Sequence, residues 1–460
     1  MASSDPRLDI ATQQSQNRFA RTLGLFDASM IVMGGIVGAG IFINPYVVAQ
    51  QVHTPVLILG AWIAGGIVAL LGAFIYAELA ARLPEVGGQY AYLRDAYHPA
   101  IGFLYGWALL LVIQTGGMAA VSITFARYFL DLTGLRAPEW LLAALALGLL
   151  TLINCLGVKQ GSAVQSALMV TKIVAIAAII FCGAFLLRHP SLFSLHPVLG
   201  APLSLGLFSM FGAAMVPVIF AYGGWQTAGF VAAEVREPER NVPRGLLLGV
   251  TGVAILYTGV SWVCLRVLGA EGLAATHTPA SAVMRIVLGE PGVKLLAVGI
   301  AISTLGFLSQ SILTAPRVYF AMADDGLFFR SVARIHPRTR VPVVAIVLQS
   351  VWTMVIAVTG RYEQILNYVI ATDALFFGLT AMSLFVFRRR DPVPQTSRVC
   401  SSGSVYRVPG HPFTTVLFII AMWLVVINAM LRYPANSLIG TAIVLAGIPV
   451  YFFWQLRAKA

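Results

Sequence analysis

Hydrophobic positions along this chain do not alternate with polar ones at the period of a half-buried helix or strand. They form long, nearly uninterrupted runs. A run of 18 or more apolar residues is long enough to cross a hydrocarbon core of roughly 30 Å as a helix. Such runs follow one another from end to end, and twelve helical spans are predicted. They lie at about 22–49, 56–82, 98–130, 138–156, 162–187, 205–235, 243–268, 293–323, 341–359, 363–387, 412–432 and 436–456. The first, third, sixth and eighth are longer than a bilayer requires, which allows tilt, breaks or extension into solvent. Polar residues gather in short stretches between spans. The longest, 188–204, 269–292 and 388–411, read as loops rich in Pro, Ser or Gly. The pattern predicts an all-α integral membrane protein. Its parts are a tail (1–21), a ten-span core (22–390), a loop (391–411), two final spans (412–456) and a short C-terminus (457–460).

Composition agrees: 58% of residues are hydrophobic, 10% are charged, and the mean hydropathy is +0.84. Soluble globular chains are not built this way. A net charge of +12 raises the question of nucleic acid. The distribution answers it. Of the 30 Lys and Arg, 21 fall on the side of the N-terminus, eight on the opposite side or its helix ends, and one, Lys172, inside a span. Lys and Arg mark cytoplasmic loops, and an even number of spans puts both termini on one side. The reading is a multi-pass cell (inner) membrane protein with both termini cytoplasmic and no nucleic-acid partner. Residues 1–21 lack the apolar core of a signal peptide. Cys155, Cys182, Cys264 and Cys400 have no metal-site or disulfide spacing, so no metal or cofactor is expected. Seven scattered histidines do not converge on a catalytic centre, and neither a carbonyl filter nor a ring of like charges points to a channel.

Two places interrupt the apolar runs from within. Gly34 to Phe42 reads GGIVGAGIF, with four glycines in seven positions. Each glycine inside a helix costs roughly 1 kcal/mol relative to alanine. One reading is a small-residue helix contact, since Gly34 and Gly38 have Gly-x-x-x-Gly spacing. The other is a backbone break, tolerated in a membrane only where it lines a cavity or is buried in protein. Phe220 to Trp225, FAYGGW, follows Pro217 in the sixth span, and proline destabilises the turn before it. The first and sixth spans would open two five-span units. Inverted-repeat transporters put broken helices at such corresponding positions, with the substrate between them. A half-helix that starts at a break offers amides to a carboxylate. One that ends there offers carbonyls to an ammonium group. Together these match a zwitterionic amino acid. The carboxylate candidates are the amides of Gly38, Ala39 and Gly40. The ammonium candidates are the carbonyls near Ile36 and Val37, and those of Phe220 and Ala221. Tyr222, Gly223 and Gly224 form the second break. Phe220 or Trp225 would act as an apolar gate or pack in the core.

A charge near the bilayer centre costs about 2.5–3.5 kcal/mol on insertion scales. Lys172 is therefore a functional candidate, against the alternative of a lysine snorkelling to the interface. Asp373 has three open roles: partner to a cation, cavity wall, or structural hydrogen bond. Glu78 and Glu234, near Arg82 and Arg236, read as gate or structural ion pairs, or as solvated interface pairs.

These residues resemble the amino acid–polyamine–organocation transporters, in the branch similar to L-type and alanine–serine–cysteine amino acid transporters. GGIVGAGIF resembles that family's first-helix motif. Tyr76-Ala77-Glu78-Leu79 with Pro84 to Tyr92 (PEVGGQYAY) resembles its loop after helix 2. Asn154, Gly157-Val158-Lys159, Val164-Gln165 and Thr171-Lys172 resemble its helix 4–5 region. Phe220–Trp225, Glu234 and Asn241-Val242-Pro243 are similar to its helix 6. Pro316-Arg317 through Asp325-Gly326, with His336-Pro337, resembles the end of helix 8. The likeness covers roughly residues 20–390. It implies a five-plus-five inverted repeat (LeuT-like) with two extra C-terminal helices. It also implies alternating access, in which helices 1 and 6 move about a central site while helices 3 and 8 belong to a scaffold. Lys172 would reach the backbone of broken helix 1 and the hydroxyls of helix 8, Ser303 first, where sodium sits in sodium-coupled relatives. It could alternatively carry a proton. Ala39 replaces the family's frequent serine, which removes a hydroxyl contact. The 131–137 loop has no cysteine, so a disulfide-linked heavy chain is not expected, and the chain reads as a stand-alone, prokaryotic-type monomer. The expected function is sodium-independent exchange of neutral, small to medium L-amino acids. Proton-coupled uptake, uptake of cationic amino acids or polyamines, and an amino-acid sensor on the same scaffold are the alternatives.

Overall fold

The structure is a computed structural model that describes residues 19–186, 205–359, 362–390, 406–432 and 434–459. Most of the predicted N-terminal tail, the 188–204 stretch, residues 391–405 of the 391–411 loop with Cys400, and Ala460 lie outside the described residues. Among the described residues every long element is a helix, and β pairing is confined to one isolated bridge between Leu23 and Val235.

The first predicted span is two helices, α1 (Leu25–Ile36) and α2 (Gly40–Gln51), bent by 46° at the intervening break. Next comes α3 (Pro55–Arg82). The Thr54 hydroxyl accepts from the Leu57 amide at its start, and Pro55 sits where no amide donor is needed. A short helix, α4 (Gln89–Ala96), precedes α5 (Pro99–Thr133), which carries a π-helical turn at Leu109–Ile113 and ends at the left-handed Gly134. Then come α6 (Glu139–Cys155), α7 (Val158–Phe185) and α8 (Leu205–Ala221). Three turn residues and a 3₁₀ helix, Trp225–Glu234, follow α8. The rest are α9 (Pro238–Ala275, kinked at Gly269), α10 (Pro279–Leu288), α11 (Glu290–Thr314), α12 (Pro316–Asp324), α13 (Val343–Thr359), α14 (Tyr362–Arg390), α15 (Phe413–Arg432) and α16 (Pro434–Lys459).

Among the described residues nine helices are long and apolar enough to cross a membrane, or ten if α1 and α2 count as one bent span. The 17-residue helices α6 and α13 fall just short of that length. The expected loop at 269–292 is corrected: it holds the end of α9 and the whole of α10. Pro279, Ala280, Val283 and Met284 are buried on one side of α10. An amphipathic ten-residue helix is too short to span but docks flat on the bundle.

The helices sort into two packed groups. One holds α1, α2, α3, α8 and α9. The other holds α5, α6, α11 and α13. Between them α7 touches α1, α9 and α11, while α14 connects α5 to α15 and α16. Small residues permit close approach in the first group: Gly245 and Gly249 of α9 lie against Ala28, Ser29 and Val32 of α1. The outside is apolar. Leu145, Leu149, Leu152 and Leu156 form an exposed stripe along α6, a surface that suits lipid rather than water.

Candidate functional site

The two interruptions meet. Gly224 has a left-handed backbone (φ +102°), and a methyl on Gly35 would overlap its carbonyl. The reverse also holds: a methyl on Gly224 would overlap the Gly35 carbonyl. Only glycine at both positions lets the two main chains touch. Thr227 Oγ1 donates to the Gly224 carbonyl (2.7 Å), and Gln310 Nε2 of α11 donates to Thr227 Oγ1 (2.6 Å). This joins the break to the second helix group.

Beside this contact lies a cavity of about 370 Å³, at the small end of ligand pockets, which run roughly 300–1,000 Å³. Of the sequence candidates, Ile36, Gly38, Ala39, Gly40, Phe220, Ala221, Gly223 and Gly224 line it. Gly38 has open space where a side chain would begin, and Gly40 faces Ala221 across the gap. The amides of Ala39, Gly40 and Ile41, at the start of α2, meet no acceptor among the described residues. On the other side the Phe220 carbonyl accepts from the Gly223 amide (3.1 Å), while the Ala221 carbonyl meets no donor among the described residues. Residues with unpaired amides and a residue with an unpaired carbonyl therefore line one small space.

Several candidates have other neighbours. The Ile36 carbonyl accepts from Tyr257 Oη (3.0 Å) and the Val37 carbonyl from Lys172 Nζ (2.6 Å). A carbonyl freed by a break in an apolar interior needs a donor, and here the protein supplies both. Val37, Tyr222 and Trp225 do not line the cavity. Tyr222 Oη donates to the Trp62 carbonyl (3.1 Å). Trp225 stacks on Phe377 (5.3 Å) and meets Tyr76 edge-on (4.8 Å), so it packs behind the wall. Phe220 is 44% exposed.

Lys172 is buried on α7, on the same face as Ser162, Gln165 and Met169. Three side chains of that face strap α1. Ser162 Oγ donates to Asp27 Oδ1 (3.0 Å), Gln165 Nε2 to the Met30 carbonyl (2.7 Å) and Lys172 Nζ to Val37. The partnership expected between Lys172 and Ser303 is corrected. Ser303 Oγ is buried with no hydrogen-bond partner. The lysine instead passes over Gly306, one turn further along α11, where any side chain would collide with its Cε.

Sequence reasoning did not single out Gly35, Thr227, Gln310 or Gln226 and left Asp373 without a role. All five line the cavity together with Asn44, Gln114 and Phe307. Glutamines inside apolar spans were the available signal. No periodicity tells which of them face the same space.

At one end of the bundle the acids find partners. Glu78 accepts from Arg82 (2.9 Å), Arg388 (2.9 and 2.6 Å) and the Val408 amide (2.7 Å). Glu234 pairs with Arg317 through two hydrogen bonds (2.6 and 3.2 Å), both side chains 1% exposed. Arg236, its neighbour in sequence, instead donates its backbone amide to Leu23. Arg94 bridges Glu85, Asp95 and Asp325. Partial burial works against its charge, but hydrogen bonds to Asp95 and Asp325 hold its pKa above the ordinary value.

Comparison with known proteins gives the family of this chain. The amino acid permease family model matches residues 23–454. The large neutral amino acids transporter small subunit 2 of Mus musculus is 30% identical over 457 residues, 95% of this chain and 82% of that one. The serine/threonine exchanger SteT of Bacillus subtilis is 28% identical over 449 residues, 96% of this chain and 98% of that one. The Asc-type amino acid transporter 1 of Mus musculus is 26% identical over 452 residues, 95% and 82% respectively. With its helices, its meeting of two glycine-rich interruptions and its matched length, this chain belongs to the amino acid permease family, whose members are transporters and not enzymes.

Proposed function

We propose that this permease is a sodium-independent exchanger of L-amino acids that works by alternating access. The observation that carries the reading is the small cavity lined by Ala39 and Gly40, whose amides are unpaired among the described residues, and by Ala221, whose carbonyl is unpaired there. A carboxylate on the first and an ammonium group on the second would bind the invariant end of any L-amino acid. Sodium independence rests on Lys172, a fixed cation held on the Val37 carbonyl beside the break. The name of one relative, an exchanger of serine and threonine, supports exchange.

The twelve-span, five-plus-five reading has support in the packing. The nine apolar helices, the bent α1–α2 pair and the two 17-residue helices together make twelve. Helices at corresponding positions of the two halves pack together, α3 on α9 and α5 on α11. Such pairing suits two repeated halves that meet at a central interface. In this reading the termini and the Glu78, Glu234 and Arg94 ion pairs are cytoplasmic, the protein sits in the cell membrane, and it acts as a monomer without a disulfide-linked heavy chain. The expectation of neutral substrates rested on having no acid near the site. Asp373 in the cavity wall removes that ground and favours a second reading, cationic substrates.

Counterflow into proteoliposomes containing only this protein tests the proposal, using a panel of labelled amino acids. The expected result is uptake driven by unlabelled internal amino acid and unaltered by sodium or an imposed proton gradient. A sodium requirement, or net proton-driven uptake without internal substrate, rejects it. Binding without flux would identify a sensor instead.

A further inference from the structure

We infer that Asp373 reads the substrate's side chain and selects amino acids that carry a second cationic group there, such as an ammonium or guanidinium. The inference rests on the cavity being the amino-acid site. Asp373 is the only ionisable side chain in the cavity wall among the described residues. Its Oδ1 is enclosed and has no hydrogen-bond partner, and Asp373 forms no ion pair among the described residues. An enclosed carboxylate without a counter-charge is strongly unfavourable. A zwitterion brings no net charge and leaves that carboxylate uncompensated. A substrate with an additional cation compensates it.

The hydrogen-bond inventory of the wall points the same way. Asn44 Nδ2 donates to the Pro217 carbonyl (2.9 Å), Gln114 Nε2 to Ser311 Oγ (2.7 Å), and Gln310 Nε2 to Thr227 Oγ1 (2.6 Å). The Thr124 hydroxyl donates to the Ala120 carbonyl (2.9 Å). These donors are engaged within the protein. Among the described residues the unpartnered enclosed side-chain atoms of the wall are acceptors: Asp373 Oδ1 and Gln226 Oε1. Behind Asp373, Tyr105 packs on Phe376 and Tyr76 on Phe377, one turn along α14. Enclosed side-chain acceptors without donors, one of them a carboxylate, complement a donor-rich cation.

The test compares wild-type protein with Asp373→Asn and Asp373→Glu in proteoliposomes preloaded with unlabelled lysine or leucine. It reads initial uptake of labelled lysine, arginine and leucine. Lysine-induced thermal stabilisation of the purified proteins in detergent is a second measurement. The expected result is wild-type counterflow of lysine and arginine. The lysine-to-leucine rate ratio should fall at least tenfold in Asp373→Asn and persist in Asp373→Glu, with lysine stabilising the wild type and Asp373→Glu but not Asp373→Asn. Wild-type protein that carries leucine but excludes lysine and arginine overturns the inference and leaves the exchanger reading standing. A ratio unchanged in Asp373→Asn overturns it too, whether uptake of both falls together or only the response to a proton gradient is lost. Wild-type protein that carries no amino acid overturns both.

Discussion

Lys172 Nζ, fixed on one long helix, donates at 2.6 Å to the Val37 carbonyl, which the break in the neighbouring span leaves without a helical partner. The lysine is 1% exposed. One buried lysine thus supplies a donor to the main chain at the break. A hydrogen bond to a charged group is worth about 1.5–3 kcal/mol. Replacing Lys172 with Met is expected to lower the initial rate of amino acid counterflow about tenfold or more, with elution in detergent as a single folded peak. Adding sodium should not restore the rate. Wild-type counterflow in this variant would remove Lys172 from the mechanism.

Gly35 and Gly38 lie one turn apart and should respond differently to the same change. A methyl on Gly35 overlaps the Gly224 carbonyl, and backbone cannot move aside cheaply. Overpacking costs about 1–3 kcal/mol, so Gly35→Ala should lower the melting temperature in detergent. Gly38→Ala meets no atom within 4 Å. It should change stability by less than about 0.5 kcal/mol and raise the KM for uptake, because the methyl enters the cavity. Melting curves and uptake kinetics of the two variants check both statements.

Tyr257→Phe removes the donor from the Ile36 carbonyl (3.0 Å) and leaves the ring in place. An orphaned buried acceptor costs about 1–3 kcal/mol. The expected outcome is a lower melting temperature with the elution profile preserved. Melting identical to wild type would mean that the Ile36 carbonyl finds another donor and is open to substrate.

Glu234 and Arg317 form a fully enclosed pair that ties the 3₁₀ helix after the second break to α12. Removing one partner of a buried pair costs about 3–5 kcal/mol. Arg317→Gln and Glu234→Gln should each reduce the yield of monodisperse protein sharply. The double variant should recover part of the loss, because it leaves no uncompensated charge. A double variant worse than either single one would contradict this account.

The helices were largely legible in the sequence because membrane helices follow from length and hydropathy alone: α3 is predicted at 56–82 and found at Pro55–Arg82. The two interruptions were legible as glycine and proline clusters that no helix tolerates without a reason. The sequence could not assign partners across helices. Glu234 sits two residues from Arg236 yet pairs with Arg317, 83 positions away. Lys172 donates to the Val37 carbonyl and not to Ser303, and its side chain lies over Gly306, where any Cβ would collide with it. Burial in an apolar run carries no directional signal, so neither Asp373 nor Gln310 could be assigned to the cavity from its neighbours in sequence. The sequence by itself determined an all-helical membrane chain with two places where backbone polar groups come free. Only the tertiary structure decided which of those groups the protein satisfies internally and which it leaves facing the cavity, because that depends on contacts between helices distant along the chain.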